Sequence, residues 1–482
     1  MAKKINMSEL QKAFNPKDFR KNGHQLIDTI ADYLEEVNDG KMPVMAWRHP
    51  DEALEDWNQH LTSDSSPEDF YKKIIKHSMH LHHPKYMGHQ VAPPLPDTML
   101  SGLLVSALKN GSGLYEMSPL SAPMEKIVMD FFSKYIGYGN EASGFLTSGG
   151  TLANLTALLT ARQVKGFGDR WNEGNPEEKQ LAIMVSEEAH YCVDRAVKIM
   201  GLGNAGIIKI PTNGKSQADI SQLEEIYNNA IAEGKTIFAI VGNACSTSVG
   251  AYDNLEAFGA FAQKHNLWFH ADGAHGGAAI FSKKYKSLVK GIELADSVII
   301  DGHKMMMTAG LITALIYKNG KDSYRTFHQK ADYLWENSEE EWFNLTKRTF
   351  ECTKFNSVLE IYSLIKNYGV EIFDEYVTYT YDLARAFSKM LQADPNFEIA
   401  HEPEANILCF RILKNGKTPT ELNELNTKIR KQLLHDGKFY IVQTMLNDSI
   451  YLRVTLMNSF STIELLEELM DEILNISKQL DF

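Results

Sequence analysis

At 482 residues, with 44% hydrophobic and 23% charged side chains, the chain has the length of about three domains and the composition of an ordinary soluble protein. Its formal net charge of −13 argues against broad binding to a phosphate backbone, and no apolar run reaches the roughly 18 residues that a membrane span needs. The polar start shows no signal-peptide pattern, and Cys192, Cys245, Cys352 and Cys409 form neither a CxxC pair nor a metal-ligand spacing. A cytoplasmic protein without nucleic acid, membrane or metal partners is therefore expected.

Residues 8–40 predict a helix: Asn15 offers a cap, Pro16 suits the first turn, and Leu26, Ile27, Ile30, Tyr33 and Leu34 recur at helical spacing. Residues 41–80 are loosely periodic and suit an arm. Helix and arm alone would expose an apolar face, so they are expected to meet another subunit. From 84 to 125 the chain is rich in Pro, Gly and Met, as long functional or interfacial loops are. A helix is predicted over 124–136. Short apolar runs at 182–186, 207–210, 237–241, 267–271, 297–300 and 312–317 then alternate with helical patterns. That alternation predicts a mostly parallel sheet covered on both faces, with ligands at the carboxyl ends of its strands. Residues 319–352 read as a surface loop, 355–395 as one long helix, and the remainder as a smaller α+β region with strands at 406–413, 439–444 and 450–455.

Four short stretches carry chemistry. Ser148-Gly149-Gly150-Thr151 opens a helical run, and its unpaired amides, hydroxyls and positive dipole end suit a phosphate; an ordinary glycine turn with a Thr cap would look the same. Ser186-Glu187-Glu188-Ala189-His190 continues directly from the run at 182–186, where an imidazole can face a flat ring or move a proton, or can simply cap. Asp272 ends the run at 267–271 and suits a helix cap or the nitrogen of a pyridinium ring, with Ala274, Gly273, Gly276 and Gly277 leaving room for that ring. Lys304 follows the run at 297–300 and precedes Met305-Met306-Met307, so its amine is expected to be partly buried with a lowered pKa. An acid and a lysine at strand ends suit a pyridoxal phosphate (PLP) enzyme, which needs a carboxylate for its ring nitrogen and a lysine for its Schiff base.

In this combination the chain resembles the group II PLP-dependent amino-acid decarboxylases, the family of the aromatic amino-acid, glutamate, cysteine sulfinate and diaminobutyrate decarboxylases. The likeness runs from Asn15-Pro16-Lys17-Asp18-Phe19 to the stretch 452–460. It implies an α/β protein of PLP fold-type I, with a mostly parallel seven-stranded sheet, acting as a homodimer on an L-amino acid to release CO2 and the amine. It also implies a helical arm at 1–83, a large PLP domain at 84–370 and a small α+β domain at 371–482.

By this resemblance Lys304 is the Schiff-base lysine, Asp272 pairs with the ring nitrogen, and Ala274 and His190 face the ring. Gly150 and Thr151 hold the phosphate, helped by Ser148, Gly149 and His303, and Thr247 places a hydroxyl near the cofactor. Tyr333 corresponds to a loop tyrosine that protonates Cα. His89 and Gln90 line the substrate pocket. Lys354, in Cys352-Thr353-Lys354, stands where glutamate-type members have the arginine of Cys-Gly-Arg that holds the substrate carboxylate, and lysine lacks that arginine's fork. His275 and Asp301-Gly302 also depart from the family pattern of an aromatic residue and Asn-Pro. The motifs leave acidic, basic and aromatic substrates open. Aldehyde formation by oxidative deamination, transamination, or a non-catalytic scaffold on the same fold are the rival readings.

Overall fold

The computed structural model describes residues 8–166, 168–174, 179–327 and 342–480, which form two compact units. One unit comprises the described residues of 1–89, 414–452 and 460–482; the other comprises 90–413 and 453–459.

In the first unit, the predicted N-terminal helix is two helices, α1 (Ser8–Ala13) and α2 (Pro16–Asn38), because Asn15 caps the second by accepting the Lys17 N–H at 3.0 Å. The loosely periodic arm also contains two helices, α3 (Pro50–Leu61) and α4 (Pro67–Lys76), each with proline at its first turn, where no N–H is missed. Val44, Tyr86, Tyr440 and Val442 form one small apolar cluster in this unit. Phe14, Phe19, Leu54 and Leu61 remain exposed.

The second unit is built on a sheet of seven strands: β1 (Ser143–Thr147), β2 (Gln180–Ser186), β3 (Ile207–Ile210), β4 (Lys235–Asn243), β5 (Trp268–Asp272), β6 (Ser297–Asp301) and β7 (Thr313–Tyr317). Their order is β1-β7-β6-β5-β4-β2-β3. Pairings from β3 through β6 are parallel, while β7 runs antiparallel to both β6 and β1. Successive residues alternate between two apolar cores. Leu181, Ile183 and Val185 face one side with Trp268, Ile299 and Leu315; Ala182 and Met184 face the other with Phe269, Ile300 and Ala314. A strand buried on both faces reads as an unbroken apolar run, which is why six of these strands stand out in the sequence. A small antiparallel sheet lies in the C-terminal part of the chain, where Phe397–Ile399 pairs with Ile407–Ile412.

Helices cover the sheet. The one that bears on the site is α5 (Gly150–Lys165), which packs Ala153, Ala157 and Leu158 against the same side as Trp268 and Ile299, as does α6 (Tyr191–Ile199) through Val193 and Val197. The long helix predicted at 355–395 is two, Val358–Tyr368 and Glu371–Ala393. Gly369 between them has φ +67°, a left-handed conformation that no helix continues through and that glycine adopts without strain. No helix among the described residues is long and apolar enough to cross a membrane.

Candidate active site

The strand ends converge on one pocket in the second unit. It is lined by Gly150, Thr151, His190, Thr247, Asp272, Ala274, His303 and Lys304, together with Asn154, Cys192, Asn243, Cys245, His275 and Asp301. Topology accounts for this placement: parallel strands β2, β4, β5 and β6 all point their carboxyl ends the same way, so the turns after them share one edge of the sheet.

The start of α5 supplies a cup for an anion. Gly149 has φ +151°, and a Cβ there would meet nothing within 4 Å, so the turn leaves open space before a 16-residue helix whose first amides lack helical partners. Gly150 and Thr151 face the pocket. Ser148 and Gly149 are not among its lining residues, and the Ser148 hydroxyl donates instead to Glu351 Oε1 at 3.1 Å.

Asp272 is only 6% exposed and is oriented by two donors: the Ala274 N–H to Oδ1 at 3.1 Å and Asn154 Nδ2 to Oδ2 at 3.0 Å. Behind it runs a buried relay. Trp268 Nε1, a donor only, reaches Ser297 Oγ at 2.9 Å, so the Ser297 hydroxyl proton is free to point to His270 Nδ1 at 2.8 Å. His270 Nε2 then donates to Asn154 Oδ1 at 2.8 Å, which turns the Asn154 amide toward Asp272. Burial pushes His270 down to about 4, so the ring is neutral and the relay carries no charge of its own. Asn154 and His270 carry no role in the sequence reading. Their only signal is spacing: Asn154 lies one helical turn beyond Gly150, and His270 lies two residues before Asp272 on the same strand face.

His190 caps α6, with Nδ1 accepting the Cys192 N–H at 3.3 Å. Its proton therefore sits on Nε2, and burial, outweighing the opposing pull of Asp272, lowers its pKa. Cys192 and Cys245 are wall residues: burial pushes both thiols up to about 12, far from the thiolate a nucleophile needs.

Lys304 differs from expectation. Burial does work to lower its pKa, but Asp301, whose Oδ2 is 2.9 Å from Nζ, and then Asp272 outweigh it, and the net shift is upward. The glycines differ too. A Cβ at Gly276 would come within 2.4 Å of Tyr252 Oη, and one at Gly273 within 2.8 Å of the Ile299 carbonyl. They make room for the protein's own packing rather than for a ring; Ala274 and His275, between them, are the residues that face the pocket.

The remaining expected residues lie elsewhere. Lys354 is 3% exposed and its Nζ is paired with Glu125, whose Oε1 also accepts the Leu146 N–H at 2.7 Å. A lysine held in this buried ion pair offers a substrate carboxylate no fork. His89 belongs to the first unit, with Nε2 3.1 Å from Tyr440 Oη. Gln90 is in the second unit but is not among the pocket residues. Tyr333 lies outside the described residues. Conversely, Arg453 is 7% exposed beside the pocket: Nη2 donates to the Thr247 carbonyl at 2.8 Å, Nε has no partner, and no carboxylate pairs with it among the described residues. A buried, uncompensated guanidinium is costly unless an anion joins it. An arginine inside the apolar run Tyr451–Leu456 was its signal in the sequence.

A carboxylate, a lysine, a neutral imidazole and a helix start in one pocket form a donor set that fits PLP, with its ring nitrogen, aldehyde and phosphate. Comparison with known proteins agrees. Residues 45–413 match the family model of the pyridoxal-dependent decarboxylase conserved domain. The chain is similar to an L-2,4-diaminobutyrate decarboxylase of Acinetobacter baumannii, 28% identical over 83% of this chain and 81% of that one. It is also similar to an aromatic-L-amino-acid decarboxylase of Bacillus atrophaeus, 24% identical over 96% of both. Mouse CSAD shares the fold at a TM-score of 0.90 and 21% identity, covering 96% of this chain and 99% of that one.

Proposed function

The chain belongs to the pyridoxal-dependent decarboxylases and is a PLP-dependent amino-acid decarboxylase, and from that premise we propose how its own residues act: Lys304, Asp272, His190 and Arg453 divide the work on an L-amino acid that leaves as its amine and CO2. The observation that supports this most is that a lysine and an aspartate from neighbouring parallel strands line one pocket with a helix start open to phosphate.

When bound, PLP supplies the electron sink for the pair left at Cα as CO2 departs. Lys304 would hold the cofactor through its amine and would give way to the substrate's amine. Gly150 and Thr151 anchor the phosphate, with His303 beside them on the pocket wall. Asp272 keeps the ring nitrogen protonated, since opposite charges stabilise each other's ionised forms. The His190 Nε2–H faces the pocket as a hydrogen-bond donor, and Tyr333 returns the proton to Cα, with His190 the second candidate only in its doubly protonated form, since the neutral ring would be left an anion. Arg453, in place of Lys354, is the guanidinium that receives the substrate carboxylate. The exposed apolar side chains of the first unit support a homodimer.

The test is to incubate the pure protein with PLP and acidic, basic and aromatic L-amino acids, and to identify the product. An amine without ammonia or peroxide is expected from one class. Ammonia and an aldehyde would replace this reading with oxidative deamination, and no product from any class would favour a scaffold. With the preferred substrate, Arg453→Lys is expected to lower kcat/KM by about a hundredfold, because a charge-assisted bidentate contact is worth roughly 3 kcal/mol. An unchanged kcat/KM would move the carboxylate site elsewhere.

A further inference from the structure

Lys304 has a nearer acid than the one that serves the ring nitrogen. Asp301 ends β6, is 2% exposed, and holds Oδ2 2.9 Å from Lys304 Nζ. Its own position is fixed from three directions. Its N–H donates to the Ala274 carbonyl at 3.0 Å, and Thr313 Oγ1 donates to Oδ1 at 2.5 Å across the β6–β7 register that pairs the two residues. His303 Nε2 lies 3.5 Å from Oδ2. A Cβ on Gly150 would stand 3.2 Å from Oδ1, so the carboxylate also borders the helix start. A buried carboxylate costs several kcal/mol of desolvation, and a neutral side chain would end the strand as well. Its charge therefore points to a task at Lys304.

We propose that Asp301 is the positioning and proton-relay residue for the capture of PLP by Lys304. This rests on the reading that Lys304 holds the cofactor covalently. Beside a carboxylate the amine is an ammonium ion, and an ammonium has no lone pair with which to attack an aldehyde carbon. Asp301 Oδ2, at hydrogen-bond distance, takes one proton. The freed lone pair forms the N–C bond, and a second amine proton moves to the aldehyde oxygen, making it a hydroxyl. Asp301 then returns its proton to that hydroxyl as the C–O bond breaks, the nitrogen lone pair completes the C=N bond, and water leaves. Ammonium plus aldehyde becomes protonated imine plus water, with the carboxylate regenerated and no oxidant or reductant consumed.

The experiment follows capture itself, not turnover. Cofactor-free protein is mixed with PLP in a stopped-flow instrument between about pH 6 and 9, the visible band of lysine-bound cofactor is followed, and attachment at Lys304 is verified by borohydride reduction and mass spectrometry. Asp301→Asn is nearly isosteric and is expected to slow capture at least about tenfold near pH 7, within the usual range of general acid–base effects. Its rate should also rise more steeply with pH than that of the parent, because the proton must then be lost to solvent. Asp301→Glu should recover part of the rate. Thr313→Val, which keeps the acid but loosens it, should give an intermediate slowing and serves if the Asn variant does not fold. An Asn variant that captures at the parent's rate with the parent's pH profile, or faster, would overturn the proposal, faster capture meaning that the carboxylate only restrains Lys304. If the parent forms no reducible adduct, the covalent reading itself falls, an outcome distinct from a variant that merely matches its parent.

Discussion

Replacing Lys304 by alanine is expected to lower turnover by at least about four orders of magnitude while leaving the fold intact. Two losses combine. The covalent hold on the cofactor disappears, and so does the amine that exchanges with substrate and releases product; positioned nucleophiles and proton carriers contribute about two to four orders of magnitude. The fold should survive because Lys304 joins the pocket by its side chain alone. Asp301, left without its ammonium, keeps the Thr313 hydroxyl at 2.5 Å and the Ala274 carbonyl contact that fixes its backbone. The helix start at Gly150 and Thr151 also remains, so the cofactor should still bind, exchangeably, and be lost on gel filtration. The measurement is amine formation with the preferred substrate, together with the visible band and retention of PLP. A Lys304→Ala protein that keeps more than about a hundredth of the parent's turnover would remove Lys304 from the chemistry.

Much of this site was legible because each strand of the parallel core reads as an apolar run, and the residue that ends such a run is placed by topology. Asp272, His190 and Lys304 were found that way, and the structure brings all three to one pocket. What escaped was set by partners distant in sequence. β1 was missed because Phe145-Leu146 runs straight into Ser148-Gly149-Gly150, and its pairing with β7 comes from residues some 170 positions away. Lys354 was assigned to substrate by its likeness to a motif, yet its neighbour is Glu125, on the distant helix Ser121–Ile136, which no local pattern announces. The sign of the shift at Lys304 was misjudged for the same reason. Three methionines after it signal burial, but Asp301, three residues before it, decides the outcome. The relay behind Asp272 was hidden because an amide on a helix and a histidine in a strand signal nothing singly.

That relay makes Asp272→Asn the second large effect. The expected loss is about a thousandfold in kcat/KM, near 4 kcal/mol, although one atom changes and the shape is kept. Every hydrogen bond in the chain from Trp268 through Ser297, His270 and Asn154 is oriented by the donor-only indole at its far end, so Asn154 must present its NH2 to residue 272. An asparagine there would answer with its own carbonyl oxygen and turn its NH2 into the pocket. A donor facing a pyridine nitrogen stabilises the unprotonated ring, which reverses the preference that the carboxylate imposes and weakens the electron sink. The Asn154 contact stays satisfied, but the new NH2 takes the place of Oδ1 and leaves the Ala274 N–H without its acceptor, so a modest drop in melting temperature is expected as well. Asn154→Leu tests the same logic from behind: it removes one donor to Asp272 and strands the His270 Nε2–H, but leaves the carboxylate charged. A smaller loss of about tenfold is expected there, with a clearer drop in melting temperature from the buried unpaired groups. The two variants should therefore order oppositely in activity and stability. Equal turnover losses, or an Asp272→Asn enzyme within tenfold of the parent, would show that the charge on Asp272 is not what the reaction uses.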